Sequence, residues 1–156
     1  MTAGDYRRPE SVLVVVHDRG GRVLLLRRGA PAFWQSVTGS LARREADPRE
    51  AALREVREET GIVAEAGALR DWRQAHCFRI LPELAGRFAP GVVFNTEHLF
   101  SLCIDSPVTP RIDPGEHAGW RWCEAREALE SCWSWSNRLG IRRVLIDSVS
   151  ARRSAA

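Results

Sequence analysis

Three carboxylates near the middle of the chain are spaced so that they could bind a metal ion together. Glu55, Glu58 and Glu59 lie in the segment REVREETGI, residues 54–62. Because each residue of a helix turns by about 100°, the three side chains share an arc of about 100°. Like charges on one helix face are destabilising, whereas hard divalent cations such as Mg²⁺ take carboxylate oxygens together with substrate phosphates and waters. The pattern indicates either a metal site that handles phosphates or a solvated helix in which Arg54 pairs with Glu58.

The residues on either side of this segment predict where the helix begins and ends. Asp47 is a favourable N-cap, and Pro48 suits the first helical position. Gly61 follows the last helical residue, where the backbone commonly turns left-handed. We therefore predict a helix over residues 48–60, with the side around Val56 packed on a sheet.

Apolar runs elsewhere predict the sheet itself. We expect strands or extended segments at residues 11–17, 22–28, 33–40, 62–63, 72–80, 91–104 and 120–123. A short helix is expected at 124–129, and a last helix follows a cap at Ser136 or Asn137. This order of strands, helix, strands and helix predicts an α+β fold in which a mixed β-sheet is sandwiched between α-helices.

Length and composition predict one globular domain. The chain has 156 residues, of which 44% are hydrophobic and 28% charged, and this excludes a disordered, collagenous or coiled-coil protein. We take residues 1–156 as a single domain with its core at about 6–150. The longest apolar run, Val12–Val16, is far shorter than the roughly 20 residues of a membrane span, and residues 1–10 lack the apolar stretch of a secretory signal. We expect a cytoplasmic protein.

Charge and cysteine content give little support for a macromolecular partner. The 23 basic and 20 acidic residues leave a net charge of +3, which is too small to predict nucleic-acid binding. The four cysteines form no CxxC pair, so we expect reduced thiols. We expect neither nucleic acid nor a membrane as partner, and the sequence leaves the oligomeric state open.

A loop that ends in glycine precedes the acidic helix, and together they resemble the signature of the Nudix hydrolase family. That signature is Gly, five residues, Glu, seven residues, and then Arg-Glu-apolar-x-Glu-Glu-x-Gly-apolar. Gly39 and the block 54–62 match it in residue type. Eight residues rather than seven separate Glu45 from Arg54, so the loop or the first helical turn is one residue longer. The resemblance implies a Nudix fold and hydrolysis of a nucleoside diphosphate linked to another group.

The resemblance also implies roles for the acidic block. Glu55 and Glu59 are expected to bind a divalent metal, with Glu58 beside them. Arg54 is expected to orient Glu55 through a charge-assisted hydrogen bond. The implied cofactor is Mg²⁺, with Mn²⁺ as a possible substitute, and it serves to neutralise pyrophosphate charge and to lower the pKa of the attacking water.

The candidates outside the acidic helix are one carboxylate and three histidines. By the resemblance, Glu116 supplies a further metal ligand from outside the helix; the alternative is an ordinary turn carboxylate. His117 beside it is a possible base, but a lone loop histidine is usually exposed, and we assign it no role. His76 and His98 lie in strand patterns and are interpreted as structural.

Segments outside the signature resemble one Nudix subfamily, the dihydroneopterin triphosphate pyrophosphohydrolases, also described as dATP pyrophosphohydrolases. The matching segments are YRRP (6–9), FWQSVTGS (33–40), RFAPGV (87–92), NTE (95–97) and SWSNR (134–138). Such enzymes convert 7,8-dihydroneopterin triphosphate to the monophosphate and pyrophosphate, in folate biosynthesis. The resemblance thus implies a small-molecule triphosphate as partner. Two alternatives stay open: hydrolysis of dATP or another deoxynucleoside triphosphate, and a Nudix-like domain that binds its ligand without hydrolysis.

The same resemblance and the chemistry of the ligand suggest substrate-binding residues. Arg7 and Arg27 could hold the triphosphate, Thr38 and Ser134 could offer hydroxyls, and four consecutive residues would line the pocket. Those four are Phe78, Arg79, Ile80 and Leu81. A flat pterin also suits aromatic stacking, for which the candidates are Trp34, Phe78 and Trp135, each with ordinary core packing as the alternative.

Overall fold

The computed structural model describes residues 6–155. Its strands are β1 Glu10–Asp18, β2 Arg22–Arg28, β3 Phe33–Gln35, β4 Val37–Ser40, β5 Leu69–Arg79, β6 Phe94–Ile104 and β7 His117–Glu124. Its helices are α1 Pro48–Thr60, α2 Ala125–Ser131, α3 Trp135–Arg142 and α4 Ser148–Ser154. Short 3₁₀ turns lie at Ala66–Ala68 and Pro82–Arg87, and a π-helical turn at Arg143–Asp147 joins α3 to α4. Within the described residues, no helix has the length and apolar character that a membrane crossing requires.

The strands of residues 6–155 form one seven-stranded mixed sheet. The main order is β3-β2-β1-β6-β5, with β4 paired to β1 and β7 paired to β2. β1 and β6 run parallel, whereas the other pairs are antiparallel. The predicted α+β fold with a mixed sheet between helices is confirmed.

Alternating residues of the central strand β1 pack on opposite sides of the sheet. Val12 and Val14 contribute to a core with Val56 of α1, and we call this side the α1 face. Leu13 and Val15 contribute to a second core with Ile141 of α3, and we call that side the α3 face. All six side chains are fully buried, and each such burial contributes about 1.5–3 kcal/mol. β1 reads as an uninterrupted apolar run because both of its faces are covered.

Helix α1 begins and ends where the sequence predicts. The Asp47 side chain accepts a hydrogen bond from the backbone N–H of Arg49, and Pro48 occupies the first turn. Gly61 adopts a left-handed conformation, with φ of 74°, and its N–H donates to the carbonyl of Arg57. These caps fix the first and last residues of α1 and thereby help to position its acidic side chains relative to the sheet.

Two local predictions about element boundaries are wrong. The last helix is capped by Ser134, whose hydroxyl accepts from the backbone N–H of Asn137, so Ser136 already lies inside the helix. The extended conformation of Ser134 is the one that a cap requires. Residues 62–63 form no strand, because the chain leaves α1 with Ile62 against the α1-face core and with Val63 exposed.

Candidate active site

A close approach between β4 and α1 brings the first carboxylate to the sheet. Gly39 lies on the α1 face of β4, and a Cβ atom there would lie 1.9 Å from Cδ of Glu55. No side chain can occupy that space together with Glu55. Glycine is therefore needed at residue 39, because the Glu55 carboxyl occupies the space that a side chain there would fill.

Arg54 connects the carboxylates of this region. Its Nε donates to Oε1 of Glu45 at 2.6 Å, and its Nη1 donates to Oε1 of Glu55 at 2.6 Å and to Oε2 of Glu58 at 3.1 Å. Nη2 donates to the backbone carbonyl of Ser40 at 3.0 Å. The Arg54–Glu58 surface pair of the plainer interpretation exists, but it is one contact among several. The guanidinium fork instead orients Glu55 from the helix side.

Glu45 joins this network despite the longer spacing in the sequence. The backbone N–H of Ala42 donates to Oε2 of Glu45 at 2.6 Å, and Arg8 donates to the backbone carbonyl of Glu45 at 2.6 Å. The hydrogen bond from Arg54 holds the pKa of Glu45 below its ordinary value. The extra residue is accommodated in the irregular loop before α1, and Glu45 still reaches Arg54.

Glu59 is the most deeply buried carboxyl of the helix. It is 5% exposed, and the backbone N–H of Thr38 donates to its Oε2 at 3.3 Å. Burial raises the pKa of Glu59 well above its ordinary value, and the charges of Glu55 and Glu116 raise it further. Burial also raises the pKa of Glu55, with Arg54 acting in the opposite direction. Both carboxyls therefore resist ionisation unless a positive charge compensates them.

Two residues distant in sequence from α1 lie beside Glu59 in an arrangement that could hold a metal ion. One potential ligand atom each from Glu59, Glu116 and His117 lies within 4.8 Å of the other two. The structure thus brings Glu116 to α1, as the resemblance implies. We call Glu55, Glu58, Glu59 and Glu116 the acidic centre.

His117 differs from the sequence prediction. It is 1% exposed rather than solvated, because it begins β7 opposite Arg28 instead of lying in the preceding loop. Its Nε2 lies 3.8 Å from Oε1 of Glu59, and neither ring nitrogen has a hydrogen-bond partner within the described part of the chain. Burial lowers the pKa of His117, which favours the neutral form that binds metals. β7 begins three residues before the strand predicted at residues 120–123, and no feature of the sequence pattern indicates this extension.

The donors fit a divalent cation. The buried Glu59 carboxyl with its raised pKa, the exposed Glu116 carboxyl and the His117 imidazole, which has no hydrogen-bond partner among residues 6–155, offer oxygen and nitrogen ligands around one point, with the half-buried Glu55 carboxyl on the same helix as Glu59. Carboxylate oxygens suit Mg²⁺ and Mn²⁺, and imidazole is a better ligand for Mn²⁺ than for Mg²⁺.

The predicted substrate residues fall into two groups and two isolated arginines. Thr38 lies at the acidic centre through its contact with Glu59. Phe78 contacts Trp135 edge-to-face, with ring centroids 6.4 Å apart, and Ser134 caps the helix that carries Trp135. Next to Phe78, Ile80 is buried, whereas Arg79 and Leu81 are exposed. Arg7 and Arg27 are both exposed, Arg7 in a bridge to Phe88 and Arg27 on β2.

Trp34 is partly buried and packs against the core, as the alternative interpretation of this tryptophan has it. It packs against the core of the α3 face, and the guanidinium of Arg121 lies 4.4 Å from its ring centroid. Trp135, by contrast, is 45% exposed and is free to contact a ligand. Of the three predicted aromatic walls, Phe78 and Trp135 contact each other, and Trp34 packs against the α3-face core.

Comparison with known proteins agrees with this geometry. A family model described as the NUDIX domain matches residues 7–144. The dihydroneopterin triphosphate diphosphatase of Escherichia coli strain K12 is 44% identical over 147 residues, which are 92% of this chain and 96% of that protein. The Haemophilus influenzae protein of the same name is 34% identical over 91% of this chain and 90% of its own length. The solved structure of the E. coli dihydroneopterin triphosphate pyrophosphohydrolase matches with a TM-score of 0.82 and 40% identity, covering 91% of this chain and 98% of that one.

Proposed function

The chain belongs to the Nudix hydrolase family, and we propose that it hydrolyses 7,8-dihydroneopterin triphosphate to the monophosphate and pyrophosphate with Mg²⁺ as cofactor. The observation that carries the proposal is the meeting of Glu59, Glu116 and His117 beside the Gly39–Glu55 contact. The choice of substrate is supported by identities of 44% and 34%, over 92% and 91% of this chain, to proteins named dihydroneopterin triphosphate diphosphatase.

We assign the metal to Glu55, Glu59 and Glu116, with Mg²⁺ as the expected ion and Mn²⁺ as a substitute. A divalent cation bound there would neutralise pyrophosphate charge and lower the pKa of the attacking water. Within the chain, the backbone N–H of Thr38 keeps the Glu59 carboxyl aimed at this point. The three carboxyls come from α1 and from the turn before β7, so their convergence depends on the packed fold.

Arg54 and its partners act by orientation. Arg54 fixes one oxygen of Glu55, and Glu45 fixes Arg54 from the other side. Glu58 is more exposed than Glu55 and Glu59, and its contact to Arg54 keeps it beside Glu55. We propose that Glu58 contributes negative charge at the entrance, whereas Glu55 and Glu59 contact the metal.

The remaining proposed contacts bind the substrate. Arg7 and Arg27 are exposed cations that suit the triphosphate. Thr38 and Ser134 are assigned to the substrate through their hydroxyls. The wall is assigned to residues 78–81, with Phe78 as its aromatic member.

The test measures pyrophosphate and phosphate release from a panel of triphosphates, with and without Mg²⁺. We expect pyrophosphate as the product and a kcat/KM for dihydroneopterin triphosphate at least about tenfold above that for dATP, which corresponds to about 1.4 kcal/mol of transition-state binding. Parity or a preference for dATP would contradict the pterin assignment and support a deoxynucleoside triphosphate hydrolase. No release from any triphosphate at saturating Mg²⁺ would support a domain that only binds its ligand.

A further inference from the structure

A row of polar residues crosses the sheet on the face opposite α1. Ser40 of β4 pairs with Ser11 of β1, Ser11 pairs with Glu97 of β6, and Glu97 pairs with His76 of β5. We call these four residues the polar row. Since neighbouring strands lie about 4.8 Å apart, the row extends over about 14 Å.

The alternation of the strands shows which way these side chains point. Leu13 and Leu99 follow Ser11 and Glu97 by two residues and belong to the α3-face core, so all four lie on that face. On β4, Gly39 faces α1, and the neighbouring Ser40 therefore faces the opposite side. Along β1 and β6, the apolar core beneath α3 is therefore continued by the polar row.

Within the polar row, Glu97 has unused hydrogen-bonding capacity. It is 6% exposed, and its Oε1 has no hydrogen-bond partner among the residues that the structure describes. Ser136 donates to the carboxyl, but burial still raises the pKa of Glu97. Buried polar atoms without partners are rare in native proteins, and a ligand that supplies the missing donors is one explanation.

His76 does not satisfy Glu97. Its Nδ1 lies 4.0 Å from Oε1 of Glu97, which is too long for a hydrogen bond, and within residues 6–155 this Nδ1 is also unpartnered. The side-chain amide of Gln74 donates to Nε2 of His76 at 3.0 Å and leaves the ring proton on Nδ1. The row therefore ends in an acceptor and a donor side by side, both unused.

Aromatic rings and the acidic centre flank the two ends of the row. Trp135 contacts His76 edge-to-face, with ring centroids 5.4 Å apart, and its exposed part offers a stacking surface. At the other end, β4 carries Ser40 in the row and Thr38 in contact with Glu59. Among the described strands, β4 pairs only with β1, so its other edge has no strand partner. A substrate that passes this edge would bind its triphosphate at the acidic centre on the α1 face and place its heterocycle near Glu97 and Trp135 on the α3 face.

We propose that Glu97 determines specificity by accepting two hydrogen bonds from the 2-amino-4-oxopyrimidine edge of the substrate. This edge, shared by pterin and guanine, presents a ring N–H and an adjacent amino group, and the two oxygens of a carboxylate accept from both. Adenine presents an acceptor beside a donor, which an ionised carboxylate cannot match. The assignment rests on the proposed function and names the group that reads the heterocycle.

The first test needs no variant. Wild-type enzyme is assayed for pyrophosphate release from dGTP and dATP at saturating Mg²⁺, because the two differ in the base and share the sugar and triphosphate. We expect kcat/KM for dGTP to exceed that for dATP by at least about tenfold. A ratio near one with an active enzyme would overturn the role of Glu97 and leave the proposed function standing.

The second test is Glu97→Gln, with Glu130→Gln on the exposed side of α2 as the matched control. A glutamine amide has one donor and one acceptor, so it matches adenine and mismatches guanine and pterin. We expect kcat/KM for dihydroneopterin triphosphate and dGTP to fall by at least about tenfold, and that for dATP to hold or rise. The control should leave every ratio unchanged.

The outcomes of the second test separate the two proposals. Unchanged substrate ratios in Glu97→Gln would overturn the assignment of Glu97, whatever the overall rate. A wild-type enzyme that releases no pyrophosphate from any triphosphate would overturn the proposed function first, and the assignment of Glu97 with it.

Discussion

The acidic centre and the polar row lie on opposite faces of one sheet, and their charges are balanced differently. In the acidic centre, Arg54 contacts two of the carboxylates, while Glu59 has a backbone N–H and the like charges of its neighbours. In the polar row, Glu97 has a hydroxyl and an imidazole that stops short of it. A cation stabilises an excess of negative charge, whereas N–H donors are enough to stabilise a single carboxyl among neutral groups. The comparison separates a region for phosphate chemistry from a region for base recognition.

The largest expected effect comes from Glu59→Gln, which removes one charge from the acidic centre. We expect activity to fall by about a thousandfold, because the amide is a poor ligand for a hard cation. The thermal midpoint of the metal-free protein should hold or rise, since a buried like charge is removed. Steady-state kinetics at saturating Mg²⁺ and thermal unfolding without metal measure the two effects.

The pH dependence of unfolding provides the control for this variant. The pKa of Glu59 is raised in the folded protein, so the neutral form favours folding, and this stability is lost as the pH rises above about 4.5. Glu59→Gln should flatten that loss in the metal-free protein, and Mg²⁺ should restore stability more strongly in the wild type. Near-normal turnover of the variant would remove Glu59 from the metal site.

Gly39→Ala should separate geometry from charge in the same region. The new Cβ would occupy the position of the Glu55 carboxyl, which is the flexible end of a side chain and can move away. We expect activity to fall by about a hundredfold while the free energy of unfolding changes by less than about 1 kcal/mol. The matched control is Gly67→Ala, because no atom lies within 4 Å of the added Cβ there. Equal activity of the two variants would contradict the clearance role of Gly39.

Arg54→Ala should affect both activity and stability. The variant leaves Glu45 and Glu55 without their shared donor, so we expect kcat to fall by about tenfold or more and the free energy of unfolding by about 2 kcal/mol. Urea unfolding and single-turnover kinetics measure these quantities. A variant with normal kcat and a stability loss well below 1 kcal/mol would favour the solvated helix with its Arg54–Glu58 surface pair.

Trp135→Ala should give the smallest effect and should act on the polar row alone. Loss of the stacking surface should raise KM for dihydroneopterin triphosphate by about fivefold to tenfold with little change in kcat. The thermal shift that Mg²⁺ produces should match the wild type, since Trp135 contacts His76 and Phe78 rather than the acidic centre. A reduced Mg²⁺ shift would show that the two regions are coupled.

Much of the fold and part of the site could be predicted from local signals. The caps Asp47 and Gly61 mark helix α1, and the helical period alone places Glu55, Glu58 and Glu59 on one side of it. These predictions depend on contacts between residues close in sequence, where backbone geometry leaves few alternatives. The resemblance to the Nudix signature added Glu116, which no local pattern indicates.

Other features depend on which distant segments meet. The burial of His117 follows from the pairing of β7 with β2, and the partial burial of Trp34 follows from its packing against the α3-face core and Arg121. Glu45 reaches Arg54 although its spacing departs from the signature, because an irregular loop can absorb one residue. Neither exposure nor side-chain direction at these positions can be read from a single segment.

By itself, the sequence determined the acidic helix face, its ends and the mixed α+β architecture, because periodicity and capping act within a few residues. Only the tertiary structure decided that Glu116 and His117 stand beside Glu59, and that Ser40, Ser11, Glu97 and His76 form one row. The register between strands far apart in the chain sets that row, and a shift of one residue in any pair would turn one of its side chains to the other face.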